Sequence, residues 1–146
     1  MANPGPATTS TVHPSGLNSQ QALRVLAVQK GVSTASLADT AVQVNNSSLY
    51  VPVSVVVANA NNAGATQSVA SVNLGVYTAA SKGGSAVLTA AALTSQTTPT
   101  YVTISAATNH NTALSAQTLY VNISSATATA TVDVYVYGYD LSTGPY

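Results

Sequence analysis

The chain has 146 residues, no cysteine, and only three basic and three acidic side chains, so its formal net charge at pH 7 is zero. Hydrophobic residues make up 46% of the sequence and charged residues only 4%, whereas about a quarter of an ordinary soluble domain is charged. This length allows one domain with one core, and the balance of hydrophobicity over charge predicts a folded chain. Three basic residues, Arg24, Lys30 and Lys82, are too few for a nucleic-acid partner.

Residues 1–20 have the composition of an extended N-terminal arm. They contain Pro4, Pro6 and Pro14 among many Ser and Thr residues, a mixture that favours extended backbone and cannot supply a core. A docking arm at a protein interface and a terminus without a role are both compatible with this composition.

The segment lacks the basic and apolar regions of an export signal, and no apolar stretch approaches the ~20 residues that span a bilayer. We therefore expect synthesis in the cytoplasm and no membrane partner.

Residues 21–146 are predicted to form one antiparallel β-sandwich domain. Short runs of Val, Ile, Leu and Tyr alternate with clusters of Asn, Gly, Ser and Pro, a pattern typical of strands joined by turns. The candidate strands are 22–28, 40–44, 50–59, 70–78, 85–91, 101–106, 118–123 and 128–139. Turns are predicted at 59–64, 82–84, 97–99 and 108–111. The segments 22–28, 35–41 and 86–93 are also compatible with short helices because Ala favours helix.

The clearest alternation lies at residues 126–137, where Ala and Val occupy the even positions. A period of two places alternate residues on opposite faces of a sheet, so the even positions are predicted to face the core. Asp133, at an odd position, indicates that the other face meets water or a partner. Segments 50–57 and 119–124 alternate in the same way, with apolar residues at the odd positions, as expected for antiparallel sheets. Pro52 lacks an N–H for the ladder, so we expect an edge strand or one that begins after Pro52.

Groups able to perform catalysis are scarce. His13 lies in the arm and His110 in a predicted loop, so both are expected to be solvated. A Ser-His-Asp triad is recognised in space, but the sequence has no Gly-x-Ser-x-Gly elbow. No metal-ligand cluster, phosphate-binding loop or dinucleotide fingerprint is present. We therefore predict no enzyme activity, no catalytic residue, no metal site and no cofactor.

Tyrosine supplies all the aromatic residues of the chain. Tyr135, Tyr137 and Tyr139 are predicted to share one face of a strand. Such a ladder can form a protein interface, because Tyr offers large amphipathic contact area. The rings could equally pair across strands and shield the sheet. A sugar-binding platform is a third interpretation, which the lack of Trp weakens.

The second half of the chain, over residues 70–142, resembles small virion structural proteins of tailed bacteriophages. The resemblance rests on a Gly-Gly turn, the segment AVLTAAALTSQTT, and then YVTIS and TLYVNISSATATATVDVYVYGYDLS. The resemblance is particularly to β-sandwich or jelly-roll capsid decoration (cement) proteins and to related head or tail accessory proteins. It implies many copies in the virion, docked on the major capsid protein and on neighbouring subunits as a homo-oligomer, often with an arm along a neighbour. No role of an individual residue carries over from the resemblance.

Other functions remain open at this point. One alternative is a head-tail adaptor, a tail subunit or a fibre-attachment subunit of the virion. Another is a glycan-binding or adhesive β-sandwich module. The composition alone is also compatible with a secreted protein that has a polar coat.

Overall fold

The computed structural model describes residues 23–94, 102–125 and 129–142, and these residues form nine β-strands and no helix. The strands are β1 (Arg24–Ser33), β2 (Thr40–Gln43), β3 (Tyr50–Asn62), β4 (Ala65–Thr66), β5 (Asn73–Ala79), β6 (Gly83–Ala92), β7 (Thr103–Ala106), β8 (Thr118–Ser125) and β9 (Thr131–Asp140). Each predicted strand overlaps one of them, and β4 is additional. The helical alternatives are wrong within the described residues. The arm 1–20, with its three prolines, and the turn at 97–99 lie outside those residues.

Two antiparallel sheets pack against each other as a β-sandwich. The first sheet has the order β1-β9-β3, with β7 and β4 both pairing with the far side of β3. The second sheet has the order β2-β8-β5-β6. The pairs are nested along the chain: β1 with β9, β2 with β8, β3 with β7, and β5 with β6. The chain therefore resembles one long hairpin whose strands are divided between two sheets.

The core lies between the sheets and follows the predicted alternation in β8 and β9. Its members in these strands are Leu119, Val121, Ile123, Val132, Val134 and Val136. Removing an aliphatic side chain of this size from water stabilises the fold by roughly 1.5–3 kcal/mol. The even-position prediction for β9 is confirmed over its described residues.

In β3 the alternation changes phase, and the sequence prediction is wrong for the first part of the strand. Tyr50 is buried before a β-bulge, whereas Val55 and Val57 are buried after it. Val51 and Val53, which the odd-position pattern placed in the core, are only half-buried. The bulge lies between Pro52 and Ser54 in the pairing with β9. A bulge inserts one unpaired residue, so it transfers the following side chains to the opposite face.

The expectation that Pro52 marks an edge strand, or precedes the strand, is also wrong. β3 begins at Tyr50 and pairs with β9 on one side and with β7 and β4 on the other. Pro52 is tolerated because it stands at the bulge, and because β7 pairs only with Ser54–Val57 and therefore does not extend to it. Gly138 lies opposite Pro52, where a Cβ atom would collide with the carbonyl oxygen of Val51. The backbones of β9 and β3 therefore approach each other closely at the bulge, and only glycine fits at position 138.

Hydrogen bonds between the sheets close both sides of the sandwich. On one side, Asn45 N donates to Leu26 O at 2.7 Å, beside a bridge between β1 and the residue after β2. On the other side, the turn after β7 covers the edge strand β6. Thr108 N donates to Val87 O at 2.8 Å and Asn109 Nδ2 donates to Ala86 O at 2.7 Å. The predicted turn at 108–111 is confirmed, and it protects an otherwise open edge.

Candidate protein-binding face

The three predicted interface tyrosines lie on the outer face of β9, which is the face turned away from the second sheet. Tyr135 and Tyr137 are half-buried, and Tyr139 is 40% exposed. They alternate with the buried residues Val134 and Val136. The prediction that they share one face is confirmed by this placement.

A row of apolar side chains crosses the whole first sheet at the level of Tyr135. Val28 of β1 lies opposite Tyr135, Val56 of β3 lies opposite it on the other side, and Ile104 of β7 continues the row beyond Val56. Ile104 is 71% exposed. The next row includes Tyr137, with Val25 and Ser54 as its neighbours. We name the outer residues Val28, Val56, Ile104, Tyr135 and Tyr137 the docking face.

The sequence analysis named neither Val28, Val56 nor Ile104 as an interface residue, and Ile104 is the most exposed of the three. It belongs to a strand of four residues, too short for its alternation to indicate an exposed side. Its position beside Val56 depends on pairing between segments about fifty residues apart. The signal available in the sequence was the strand pattern around 101–106, which predicts a strand but not its neighbours.

A second group of exposed apolar side chains continues the outer face at the end of the sheet where β1 and β3 begin and β9 ends. We name Leu23, Leu49, Tyr139 and Leu141 the end patch. Their exposed fractions are 51%, 39%, 40% and 42%. Leu141 N donates to Leu49 O at 2.8 Å, and Arg24 lies opposite Gly138, so Leu23 lies beside Tyr139.

Asp133 has a structural role in addition to the outward position that the alternation indicated. Its Oδ1 accepts a hydrogen bond from Gly31 N at 2.9 Å, and its Oδ2 accepts one from Asn59 Nδ2 at 3.2 Å. Gly31 and Asn59 both have positive φ, 68° and 56°, and both stand at bulges in the strands that flank β9. The carboxylate therefore joins three strands of the first sheet, in addition to facing outward.

An ion pair lies at the rim of the end patch. Arg24 Nη1 donates to Asp140 Oδ2 at 2.7 Å, and Arg24 Nη2 donates to Asn45 O at 3.1 Å. Burial by itself would raise the pKa of the Asp140 carboxyl, but hydrogen bonds from Ser142 and the charge of Arg24 outweigh it, so the pKa is lowered. Two of the few charges of the protein thus compensate each other beside the patch.

The remaining titratable groups of interest do not converge. His110 Nδ1 lies 3.1 Å from Ala107 O in the turn after β7, and His13 lies outside the described residues. Asp39 accepts hydrogen bonds from Ser81 N at 2.6 Å and Asn122 Nδ2 at 2.8 Å, which lower its pKa. Over the described ranges, no three His or carboxylate side chains are grouped as a metal site would require. The same ranges contain no helix with the length and apolar character to cross a membrane.

Comparison with known proteins assigns no family to the chain. No family model matches its sequence, and none of the curated proteins matches it significantly. The docking face is therefore interpreted from its geometry and chemistry.

Proposed function

We propose that the protein is a non-enzymatic structural subunit that binds other protein surfaces through its docking face. The observation that carries this proposal is the apolar row that crosses four strands and ends at Ile104, which is 71% exposed. Contiguous apolar surface with aromatic residues is typical of protein interaction sites, and charged residues are depleted at their centres. In particular, we propose a capsid decoration protein of a tailed bacteriophage, docked in the virion on the major capsid protein and beside further copies of itself.

We further propose that the sandwich is a jelly roll. The nesting of the pairs β1·β9, β2·β8, β3·β7 and β5·β6 supports this topology, because a jelly roll is a long antiparallel hairpin rolled into two sheets. Viral capsid domains use this architecture, in agreement with the resemblance of the sequence to phage decoration proteins. Lectins use the same topology, so the jelly roll does not by itself identify a function. The functional proposal therefore rests on the exposed docking face.

The small size of the docking face supports a proposed contribution of the arm to binding. Four strands spaced ~4.8 Å apart, taken over about six residues of length, present roughly 400 Å². A stable interface needs about 800 Å² on each partner. Residues 1–20 can supply the missing area as an extended arm, at the entropic cost of ordering it.

The docking face is tested by Ile104→Asp. We expect this variant to bind shells that lack the protein at least ~10-fold more weakly, because it places a charge in an apolar contact. Ala41→Asp is the matched control, since Ala41 is exposed on the second sheet. Co-sedimentation measures binding, and thermal unfolding verifies that both variants fold. Equal binding by Ile104→Asp and the wild type would refute the docking face.

Deletion of residues 2–20 tests the arm separately. We expect a folded domain that no longer binds shells, because the remaining face is too small for stable docking. Normal binding by the truncated protein would remove the arm from the proposal while leaving the docking face in place.

Copy number distinguishes decoration from the other virion functions. Many copies spread over the shell support a decoration protein. A single ring of copies on the tail axis would instead support a head-tail adaptor, a tail subunit or a fibre-attachment subunit. Labelling the protein in intact particles and imaging them by electron microscopy decides between the two.

A further inference from the structure

The end patch is the place where the N-terminal segment joins the domain. Leu23, the first described residue, is itself a member of the patch and is 51% exposed. Arg24 is fixed by its ion pair with Asp140, so the chain enters the sheet at a defined position. Any partner of the patch therefore meets residues 1–22 at the same site.

The segment has side chains that suit this surface. Residues 1–22 include no Lys, Arg, Asp or Glu, and Leu17 is the large aliphatic residue nearest to Leu23. The six peptide units between Leu17 and Leu23 span at most about 20 Å. The patch covers β1, β9 and β3, which are neighbours ~4.8 Å apart. Leu17 can thus reach every part of it if the chain turns back over the sheet.

We propose that the end patch binds the N-terminal segment of the same chain, with Leu17 packed against Tyr139 and Leu141. A short tether gives Leu17 a local concentration in the millimolar range. An apolar contact with a dissociation constant of about 1 mM is then about half occupied, whereas a separate molecule would need the same high concentration to displace it. The inference does not depend on the proposed function, because Ile104 and the row at Tyr135 stay uncovered.

This contact fixes the direction in which the rest of the arm leaves the domain. Residues before Leu17 then start from the outer face of the first sheet, on the same side as the docking face. An arm whose base is already ordered loses less conformational freedom when it binds a neighbour.

Cysteine pairs test the contact, because the natural chain has no cysteine. The test pair is Asn18→Cys with Leu49→Cys, which keeps Leu17, Tyr139 and Leu141 in place. The control pair is Asn18→Cys with Asn45→Cys. Asn45 is exposed, and its N–H donates to Leu26 O on the side of β1 next to the second sheet, so it lies near the start of β1 but outside the patch. In dilute protein under mild oxidation, we expect the test pair to form an intrachain disulfide about 10-fold faster than the control pair. Mass spectrometry of alkylated samples follows both rates.

Two outcomes would overturn the inference. Equal rates for the two pairs would mean that Leu17 is not held at the patch. Disulfide-linked dimers that disappear on dilution would assign the patch to the segment of a second copy. If Ile104→Asp abolishes shell binding while the two disulfide rates are equal, the proposed function stands and this inference fails.

A measurement without cysteines completes the test. Leu17→Asp should uncover the end patch and increase the fluorescence of an apolar dye such as ANS at least ~2-fold. Asn18→Asp adds the same charge at the next position and should leave the fluorescence unchanged. Equal fluorescence in the two variants would count against the contact.

Discussion

Tyr50 is a fully buried residue that joins β3 to the segment before β8. Its hydroxyl donates a hydrogen bond to Ala116 O at 2.8 Å, and its backbone pairs with Leu114 in both directions. Burial raises the pKa of Tyr50 to about 12, because a phenolate would lose its hydration in the core. The side chain therefore stabilises the fold only while it is protonated.

We predict that the free energy of unfolding falls between pH 10 and 12. The pKa of Tyr50 is higher in the folded state than its ordinary value of about 10, so its contribution is complete below pH 10 and is lost as the pH rises towards 12. A shift of this size corresponds to roughly 2–3 kcal/mol. Urea unfolding across this range measures the loss. Tyr50→Phe should remove this part of the pH dependence, and an unchanged slope in that variant would contradict the prediction.

Asp133 provides a second prediction for a single residue. Asp133→Ala removes the acceptor for Gly31 N and Asn59 Nδ2, and we expect it to lower the free energy of unfolding by about 1–2 kcal/mol. Asp133→Asn keeps one carbonyl oxygen and should lose less. Chemical denaturation of the two variants compares them, and wild-type stability in Asp133→Ala would show that the carboxylate does not hold the bulges.

The sequence predicted the shared face of the tyrosines but not the partners of Asp133. Alternation is a local property, so the placement of Tyr135 and Tyr137 follows from their own strand. The donors to Asp133 come from Asn59 and Gly31, which are 74 and 102 residues away in sequence. Nothing near Asp133 indicates which bulges will lie beside it.

Among the elements, β3 shows how bulges limit prediction from a pattern. Its existence was predicted from residues 50–59, yet it continues to Asn62, and the reversal occurs at Ala63 and Gly64. Both turn residues have positive φ, 48° and 87°, as two-residue hairpins require. Its two register shifts switch the buried positions from even to odd and back to even, which a single alternating template cannot describe.

The covered edge of β6 leads to a prediction about aggregation. Thr89 N donates to Thr108 Oγ1 at 2.9 Å, so this hydroxyl occupies a donor of the edge strand. We expect Thr108→Val to leave that N–H open to another chain and to increase light scattering and thioflavin T fluorescence on prolonged incubation. Thr112→Val is the control, because Thr112 is exposed in the same turn and bonds through its backbone N–H. Similar aggregation of the two variants would mean that the turn does not protect β6.

The whole molecule has only three acidic side chains, so very few carboxyl groups can take up protons when the pH is lowered. The hydrogen bonds from Ser81 and Asn122 lower the pKa of Asp39. At Asp140 burial opposes the lowering, but Ser142 and Arg24 outweigh it. Both carboxyls bind protons more weakly in the folded state than in the unfolded state. Their contribution to stability is therefore present above pH ~4 and is lost as the pH falls below that value.

We accordingly predict that the thermal midpoint falls as the pH is lowered from about 4 to 2. The variant Asp140→Asn should show a shallower decrease, because it lacks one of the two groups that take up a proton on unfolding. Differential scanning calorimetry over this range measures both proteins. A midpoint that does not change down to pH 2 would contradict the assignment of the lowered pKa values.

The fold class could be predicted because composition and alternation are distributed along the whole chain, whereas the strand order could not. Short Val-rich and Tyr-rich runs separated by turn residues identify a sandwich without specifying which runs pair. The pairing of β1 with β9 depends on two bulges in β1 and on Gly138, and these become visible only when both strands are in place.

The adjacency of β1 and β9 has a consequence for biosynthesis. The pairing of β1 with β9 joins residues near the start of the described chain to residues beyond 130. During translation, β1 must therefore wait until β9 has left the ribosome before it meets its partner. Such a high contact order predicts slow folding, on the order of milliseconds to seconds once the chain is released. Nascent chains arrested before β9 should accordingly remain sensitive to protease, while released chains become resistant.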